Sequence, residues 1–230
     1  MSGPDRDDRL RDRAPAADAV ARVPPARWPF RAPIEGTWAG LEPVDPGLHA
    51  EALFACSHRT KDEAETLWRY MPYGPFANER AFESWLGDCA SAADPLFYAI
   101  VDHDDGAVVG MASYLNIHPK NGSIEIGHIW FAPAVQRSRL TTEALYLMMR
   151  HAMDDLGYRR LEWKCNALNA SSRRAARRLG FRFEGIFYKH LVVKGHNRDT
   201  AWYSILDDEW PTVRDGFDSW LSPVNFDREG

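Results

Sequence analysis

Two residues that can accept a proton near neutral pH, Glu125 and His128, lie three positions apart in a stretch of strand-forming residues. A carboxylate or an imidazole in such a strand can act as a general base, for instance toward an ammonium group. Residues three apart in a regular strand face opposite sides, so both could serve one site only if a bulge near Gly127 resets the alternation. Which of the two is the base stays open, and His190 on a later strand is a third candidate.

The strand that carries these residues leads into a polar loop and then a helix. Residues 126–131 supply strand-forming bulk, Pro133 ends the pairing, and the helical spacing of apolar residues begins at Thr141. The first N–H groups of a helix have no internal partner and lie at the positive end of its dipole. This junction can therefore bind an anion such as a diphosphate.

The order of residues in the loop resembles a known pattern. The segment Gln136-Arg-Ser-Arg-Leu-Thr-Thr-Glu-Ala144 is similar to the Gln/Arg-x-x-Gly-x-Gly/Ala loop of the GCN5-related N-acetyltransferases (GNAT), and its ending is similar to the ribosomal-protein N-terminal acetyltransferase branch. The sequence departs from the pattern at Arg139 and Thr141, where the family has small residues. Glycine lets backbone approach phosphate closely. Arg139 must therefore point outward or add its own charge to the phosphate, and we take the second as the working hypothesis.

A second stretch resembles the same family. The segment Asn169-Ala-Ser-Ser-Arg-Arg-Ala-Ala-Arg-Arg-Leu-Gly-Phe181 is similar to the family's Asn-x-x-Ser followed by a short helix that ends in Leu-Gly-Phe. Local chemistry agrees, because Asn169 or Ser171 can cap the helix and Gly180 can supply the left-handed residue that ends it. The resemblance covers roughly residues 34–210, loosely in its first half and well in its second.

The resemblance implies a fold and an activity. The expected fold is α+β, with a mixed, mostly antiparallel central sheet flanked by helices and a splayed central strand. The expected activity is direct transfer, in a ternary complex, of the acetyl group of acetyl-CoA to a primary amine of a protein N-terminus or a small molecule. Residues at the splay and in the loop are then expected to bind the cofactor: Trp130, Phe131, Ala132, Gln136, Arg137, Ser138, Arg139, Leu140, Thr141, Thr142, Asn169 and Ser172.

Transfer from a thioester releases a thiolate, which benefits from a proton donor. Many family members place a Tyr on the helix before Leu-Gly-Phe, but this chain has Ala176 there. Ser172 matches a Ser that can act near the sulfur in the ribosomal-protein branch, and the equally weighted alternative is that it only caps the helix. The linker between early helices helps form the acceptor groove in the family. We therefore expect Tyr73, Trp68 and His190 to bind substrate, with core packing as the alternative for Trp68.

Composition limits the other classes of function. No apolar run of the 230 residues approaches the ~20 that a membrane helix needs, and a net charge of −5 argues against a general nucleic-acid binder. Three cysteines without CxxC spacing indicate a reducing cytoplasm, with no disulfide or metal framework. The sequence does not determine whether the protein is a homodimer.

Three segments are expected along the chain: a flexible charged arm over residues 1–33, a GNAT domain over 34–212, and a C-terminal segment over 213–230 that packs on the domain. The first helix is expected over 45–57 with Leu48, Leu53 and Phe54 inward. A turn at 103–106 predicts a hairpin.

Two alternative functions stay open. One is an acyl-CoA-binding module without catalysis, because the loop lacks its glycines. The other is a transferase of the same fold that uses succinyl-CoA or aminoacyl-tRNA. A tRNA substrate would require a continuous basic face, for which the arginines at 173, 174, 177 and 178 are the only candidates.

Overall fold

The computed structural model describes residues 25–226. Most of the expected arm, residues 1–24, and the last residues of the C-terminal segment, 227–230, lie outside the described residues. Residues 25–33 have no regular secondary structure but contact the domain. The N–H of Ala26 donates to the carbonyl of Pro119, the N–H of Arg27 donates to that of Leu156, and the Tyr98 hydroxyl donates to that of Phe30. Backbone hydrogen bonds thus hold this part of the arm on the domain.

Within residues 25–226 the strands form one sheet of eight, in the order β1-β2-β3-β4-β5-β6-β8-β7. Only β5 and β6 pair in parallel, and the other neighbours are antiparallel. The strands are Ile34–Glu35 (β1), Ala39–Pro43 (β2), Leu96–Asp102 (β3), Val108–His118 (β4), Ser123–Phe131 (β5), Arg160–Asn166 (β6), Arg182–Val193 (β7) and His196–Leu206 (β8). The mixed, mostly antiparallel sheet predicted from the sequence is confirmed.

The helices pack on both faces of this sheet. They are Pro46–Ser57 (α1), Lys61–Trp68 (α2), Glu79–Ser91 (α3), Arg139–Arg150 (α4), Ala170–Arg178 (α5) and Trp210–Trp220 (α6). None of the helices in the described part of the chain is long and apolar enough to cross a bilayer.

The two faces differ in how far helices cover them. Helices α1, α2 and α3 share a core with β3, β4 and one residue of β5, whereas no residue of β6, β7 or β8 belongs to that core. Helices α4, α5 and α6 share the larger core on the other face. On the face of the sheet that α1–α3 cover, these helices do not extend over β6, β7 and β8. The uncovered part of this face, formed by β5, β6, β8 and β7, carries polar and charged side chains, and we call it the open face.

Two details of the predicted helices are wrong. Leu48 is 72% exposed, and His49 lies inward beside Glu42 instead. The His49 ring is held there by two contacts, because its Nδ1 accepts a hydrogen bond from the Asp45 N–H at 3.0 Å and its Nε2 lies 3.1 Å from the Glu42 carboxylate. Helix α4 begins at Arg139, before the predicted start, because the Ser138 hydroxyl accepts a hydrogen bond from the third helical N–H at 3.3 Å.

The predicted caps of α5 are confirmed. Asn169 is the N-cap, and its Oδ1 accepts a hydrogen bond from the N–H of Ser172 at 3.1 Å. Gly180 has φ +91, the left-handed conformation that ends a helix with little strain when there is no Cβ. Local sequence therefore determines this helix at both ends.

A buried carboxylate joins α4 to the first strands. Glu143 is 5% exposed. It accepts hydrogen bonds from the backbone N–H groups of Thr37 at 2.9 Å, Trp38 at 2.6 Å and Ala39 at 2.8 Å. Thr37 and Trp38 lie in the turn between β1 and β2, and Ala39, whose N–H is buried, begins β2. A buried N–H group needs an acceptor within the protein. The Glu143 carboxylate therefore fixes the position of α4 against the sheet.

Replacing Glu143 with Ala should lower the free energy of unfolding by about 2–4 kcal/mol, because three backbone N–H groups, that of Ala39 buried, lose a charged acceptor. Glu143→Gln should cost less, since an amide oxygen can still accept. Glu65→Ala, on the exposed side of α2, is the control and should change stability little. Denaturant unfolding of the three variants gives the comparison, and equal stability of Glu143→Ala and wild type would contradict this role.

Candidate active site

A bulge interrupts the pairing of β5 with β4. Ser113 pairs with Gly127 and Met111 pairs with Trp130, so β5 has one extra residue between these pairs. The extra residue is accommodated at His128, whose φ is +53. Such a bulge reverses the alternation of side chains beyond it. A site shared by Glu125 and His128 would require a bulge near Gly127, and this bulge is present.

The bulge brings the two candidate bases to one face of the sheet. Glu125 and Gly127 lie on the face of Met111, where a Cβ on Gly127 would be 3.6 Å from Oε1 of Glu125. His128 lies on that face too, because its ring is 5.1 Å from that of Phe97 in the core under α1–α3. Two groups that a regular strand would separate can thus act on one substrate.

His128 is held by the aromatic linker after α2. The Tyr73 hydroxyl lies 2.8 Å from Nδ1 of His128, and the two rings stack with centroids 5.6 Å apart. Burial, with a further contribution from the charge of Arg198, lowers the pKa of His128 to about 4. Burial also raises the pKa of Tyr73 well above its usual value. At neutral pH both groups are therefore uncharged.

Glu125 is a buried carboxylate with one oxygen in use. It is 5% exposed, and Oε2 accepts hydrogen bonds from Nδ2 of Asn116 at 2.6 Å and from Nζ of Lys164 at 2.9 Å. Within the described residues Oε1 accepts no hydrogen bond. Burial raises the pKa of Glu125, and the charge of Lys164 opposes this increase. The arrangement orients the carboxylate and leaves Oε1 able to accept a proton.

Ion pairs extend from Glu125 across the open face. Lys164 also contacts Glu162 at 2.8 Å, and Arg160 contacts Glu162 at 2.7 Å. Arg160 then binds both oxygens of Glu184, at 2.8 and 2.6 Å. This network of ion pairs was not predicted from the sequence. The signal was the alternation in β6, where Arg160, Glu162 and Lys164 separate apolar residues.

The sheet opens beside these residues. Strands β5 and β6 pair only over residues 123–125 of β5, and they diverge beyond that point. The N–H of Ala132 donates to Val109 of β4, so the alternation of the strand directs the N–H and C=O of Phe131 toward the gap. Gln136 confirms this direction, since its Nε2 donates to the Phe131 carbonyl at 3.1 Å. The gap is therefore lined by polar backbone of β5.

The start of α4 presents unpaired backbone donors to the same gap. Arg137 has φ +67, and Ser138 caps the helix. Among the described residues, no hydrogen-bond partner is present for the backbone N–H groups of Gln136, Arg137, Arg139 and Leu140. Adjacent N–H groups at the positive end of a helix dipole form an anion site.

A second cation lies close to these donors. The Arg178 guanidinium donates to the Thr142 hydroxyl at 3.0 Å, and burial lowers the pKa of Arg178. A cation at a helix N-terminus is repelled by the dipole, and a bound anion would relieve that repulsion. The donors and charges at this helix start therefore fit a diphosphate.

The two residues that replace small residues of the motif are both accommodated. Thr141 is buried, and its hydroxyl donates to the Ser138 carbonyl at 3.1 Å. The Arg139 guanidinium lies 3.5 Å from the Asp104 carboxylate and over the rings of Trp38, at 5.3 Å, and Phe226, at 5.7 Å. The hypothesis that Arg139 adds its charge to the diphosphate stays a prediction. The interactions that hold this side chain in the structure are those with Asp104 and the two rings.

Of the other predicted site residues, Ser172 lies at the start of α5, where its Oγ accepts a hydrogen bond from the Trp163 indole at 3.0 Å. His190 is exposed on β7, 3.0 Å from the Thr200 hydroxyl. Trp68 is 0% exposed, so its side chain lies in the core beneath the linker and not on the substrate surface. Its size explains this placement, because it fills the space between the linker and β5.

Comparison with known proteins agrees with this geometry. A family model described as an acetyltransferase (GNAT) domain matches residues 40–182. The solved structure of a GCN5-related N-acetyltransferase from Brucella melitensis is 46% identical to the chain with a TM-score of 0.86, and the match covers 90% of this chain and 92% of that one. A Chromobacterium violaceum structure, provisionally assigned to the GNAT acetyltransferases, is 40% identical with a TM-score of 0.79, over 87% of this chain and 98% of that one.

One curated relative is more specific in its name. YdaF of Bacillus subtilis (strain 168), provisionally named a ribosomal N-acetyltransferase, is 32% identical over 106 residues. The match covers 46% of this chain and 57% of YdaF. The chain thus spans little more than half the length of this relative.

The lowered pKa of His128 predicts a loss of stability in acid. Between pH 6.5 and 4 the unfolded chain binds a proton at this residue that the folded protein does not bind. Stability should therefore be full above pH 6.5 and fall by up to about 3 kcal/mol as the pH approaches 4. His128→Asn should reduce this slope, whereas the exposed control His196→Asn should not. Thermal unfolding across this pH range measures the effect, and an unchanged slope in His128→Asn would exclude a lowered pKa.

Proposed function

The chain belongs to the GNAT acetyltransferase family, and we propose that within it the protein transfers the acetyl group of acetyl-CoA directly to a primary amine in a ternary complex. The amine belongs to a protein N-terminus or to a small molecule. The relationship to YdaF supports the ribosomal-protein branch, in which the acceptor is a protein N-terminus.

The observation that carries the proposal is the bulge at His128. It places Glu125 and His128 on one face of β5, next to the gap where β5 leaves β6. A proton acceptor, polar backbone donors and an anion site at a helix start are then adjacent. Amine acylation requires such a combination, because the ammonium must lose a proton while an oxygen becomes negative.

The residues of the gap and the loop fit acetyl-CoA. When bound, this cofactor supplies an acetyl group that is activated as a thioester. The free N–H groups at the start of α4 would hold its diphosphate, with Arg178 as the nearby cation. The Phe131 N–H points into the gap and is a donor for an oxygen that gains negative charge.

Glu125 is the proton acceptor in this proposal. Its free Oε1 takes the proton of the acceptor ammonium, directly or through one water, while Lys164 and Asn116 hold Oε2. Burial makes Glu125 a stronger base than an exposed carboxylate, because it raises the pKa. His128 is the alternative base, and its bond to Tyr73 fixes the ring orientation.

Ser172 is the proposed proton donor to the departing thiolate. Its Oγ accepts from the Trp163 indole, which leaves the hydroxyl proton for another partner. We also propose a cytoplasmic location, since Cys56, Cys89 and Cys165 are free thiols and a reducing compartment keeps them so.

Calorimetry should show CoA binding with a micromolar dissociation constant. Pantetheine, which lacks the diphosphate, should bind much more weakly because it makes no contact with the start of α4. Rising salt should weaken CoA more than pantetheine, since charged contacts are screened. No binding at millimolar CoA would remove the proposed function, and equal affinities would remove the diphosphate site.

Rate measurements distinguish the two candidate bases. Glu125→Gln should leave CoA affinity unchanged and lower kcat by about 10²–10⁴-fold, the usual contribution of a positioned base. Ser172→Ala should cost less, because a thiolate is already a fair leaving group.

The discriminating variant is His128→Asn, assayed over pH at saturating acetyl-CoA. Loss of the acidic limb of the profile only in Glu125→Gln supports the carboxylate. Loss of that limb only in His128→Asn transfers the role to the imidazole. If neither variant changes the rate or the profile, the proton leaves through solvent and the assignment of a base is wrong.

A further inference from the structure

Arg198 lies on the open face of β8 among the groups that surround the proposed site. It shares this face with Thr200 and Trp202, the alternate residues of the strand. The Trp202 ring lies 4.1 Å from Nζ of Lys164, which in turn binds Glu125. A continuous set of contacts therefore connects the strand that carries Arg198 to the proposed base.

The strand registers place Arg198 level with the gap. The last pair between β6 and β8 joins Asn166 to Thr200, so Arg198 lies beyond the end of β6. Strand β5 runs parallel to β6, with Glu125 opposite Glu162, and its last residues extend to the same level. In the described part of the chain, no strand lies between Arg198 and the end of β5 at this level, because β6 ends at Asn166. Electrostatics agrees, since the charge of Arg198 contributes to the lowered pKa of His128.

Arg198 differs from the other cations of the open face. Arg160 and Lys164 each contact carboxylates. Arg198 makes no side-chain hydrogen bond and has no carboxylate within 4.0 Å among residues 25–226, and its Nε is buried without a partner. Burial lowers the pKa of Arg198, and the charges of Cys165 and Glu125 oppose this effect.

The buried Nε–H of Arg198 has no hydrogen-bond partner among residues 25–226, which is costly unless a ligand accepts from it. Leaving a buried charged donor without a partner destabilises a protein, and a bound anion removes that cost. The planar fork of Arg binds a carboxylate through two parallel hydrogen bonds. The chemistry of the site therefore indicates a carboxylate on the substrate.

We propose that Arg198 binds a carboxylate of the acceptor, so that the favoured acceptor is an amine with a carboxylate close to it. Acceptors of this class are α-amino acids and protein N-termini that begin with Asp or Glu. The inference rests on the proposed acetyl transfer, because the amine must reach Oε1 of Glu125 on the same face. A carboxylate attached to that amine then lies on the open face with Arg198.

Matched acceptors test the assignment. A peptide that begins with Asp and the same peptide beginning with Asn differ only by carboxylate and carboxamide, as do alanine and alaninamide. In wild type, kcat/KM should favour the carboxylate of each pair by about 10- to 100-fold, the range for a charge-assisted hydrogen bond.

Arg198→Gln should remove this preference by slowing only the carboxylate acceptors, with carboxamide acceptors changed by less than about 3-fold. Arg198→Lys should retain part of it, because the charge remains and the fork is lost. Arg80→Gln, on the exposed surface of α3, is the matched control and should behave as wild type. Equal losses on both acceptors of a pair, or no preference in wild type, would overturn the inference.

Two further measurements distinguish a carboxylate on the acceptor from one on the acyl donor, and acceptor binding from acetyl transfer. Succinyl-CoA with the Asn peptide tests the donor, and a loss in Arg198→Gln confined to this combination would overturn the assignment to the acceptor. Calorimetry of the Asp and Asn peptides with CoA already bound needs no turnover. Tighter binding of the Asp peptide in wild type but not in Arg198→Gln supports the inference even if acetyl transfer fails, and equal binding overturns it.

Discussion

The geometry of the site depends on one backbone constraint, the left-handed conformation of His128 within β5, with φ +53. A non-glycine residue in this conformation costs roughly 1 kcal/mol or more, so surrounding contacts must hold it. The hydrogen bond and ring stacking from Tyr73 supply such contacts. Because the bulge resets the alternation, Glu125 and His128 share one face and the strand turns away from β6 at the same place.

The electrostatics of the open face follow from this geometry. Glu125 is buried and is the last residue in a series of ion pairs that also includes Lys164, Glu162 and Arg160. Each charge in the series neutralises its neighbour, which reduces the cost of burying them together. Among the described residues, Arg198 forms no ion pair with this series. The same face therefore combines the proposed proton acceptor with a cation that has no carboxylate partner among residues 25–226.

The proposed diphosphate site consists of backbone N–H groups at the start of α4, without the glycines of the family motif. The loop reaches the start of α4 with Arg137 in a left-handed conformation and Ser138 as the cap. Within residues 25–226 the N–H groups at this helix start have no acceptor, although Arg139 and Thr141 replace small residues. The reason is that the Thr141 hydroxyl donates to the Ser138 carbonyl and the Arg139 side chain lies against Trp38 and Asp104. Glu143 then fixes the whole helix to the turn between β1 and β2.

The sequence alone determined the features that short-range chemistry controls. The caps of α5 and the hairpin between β3 and β4 depend on neighbouring residues, and these predictions agree with the structure. The family that the two motifs indicate is confirmed by the match to the GNAT acetyltransferase domain. The remaining features of the site were decided by the tertiary structure, because these features depend on contacts between residues far apart in the chain. Only the fold could show that Trp68 lies in the core, that Lys164 binds Glu125, and that no carboxylate among residues 25–226 pairs with Arg198 beside the gap. Such long-range pairings are set by strand register and packing, which local patterns do not encode.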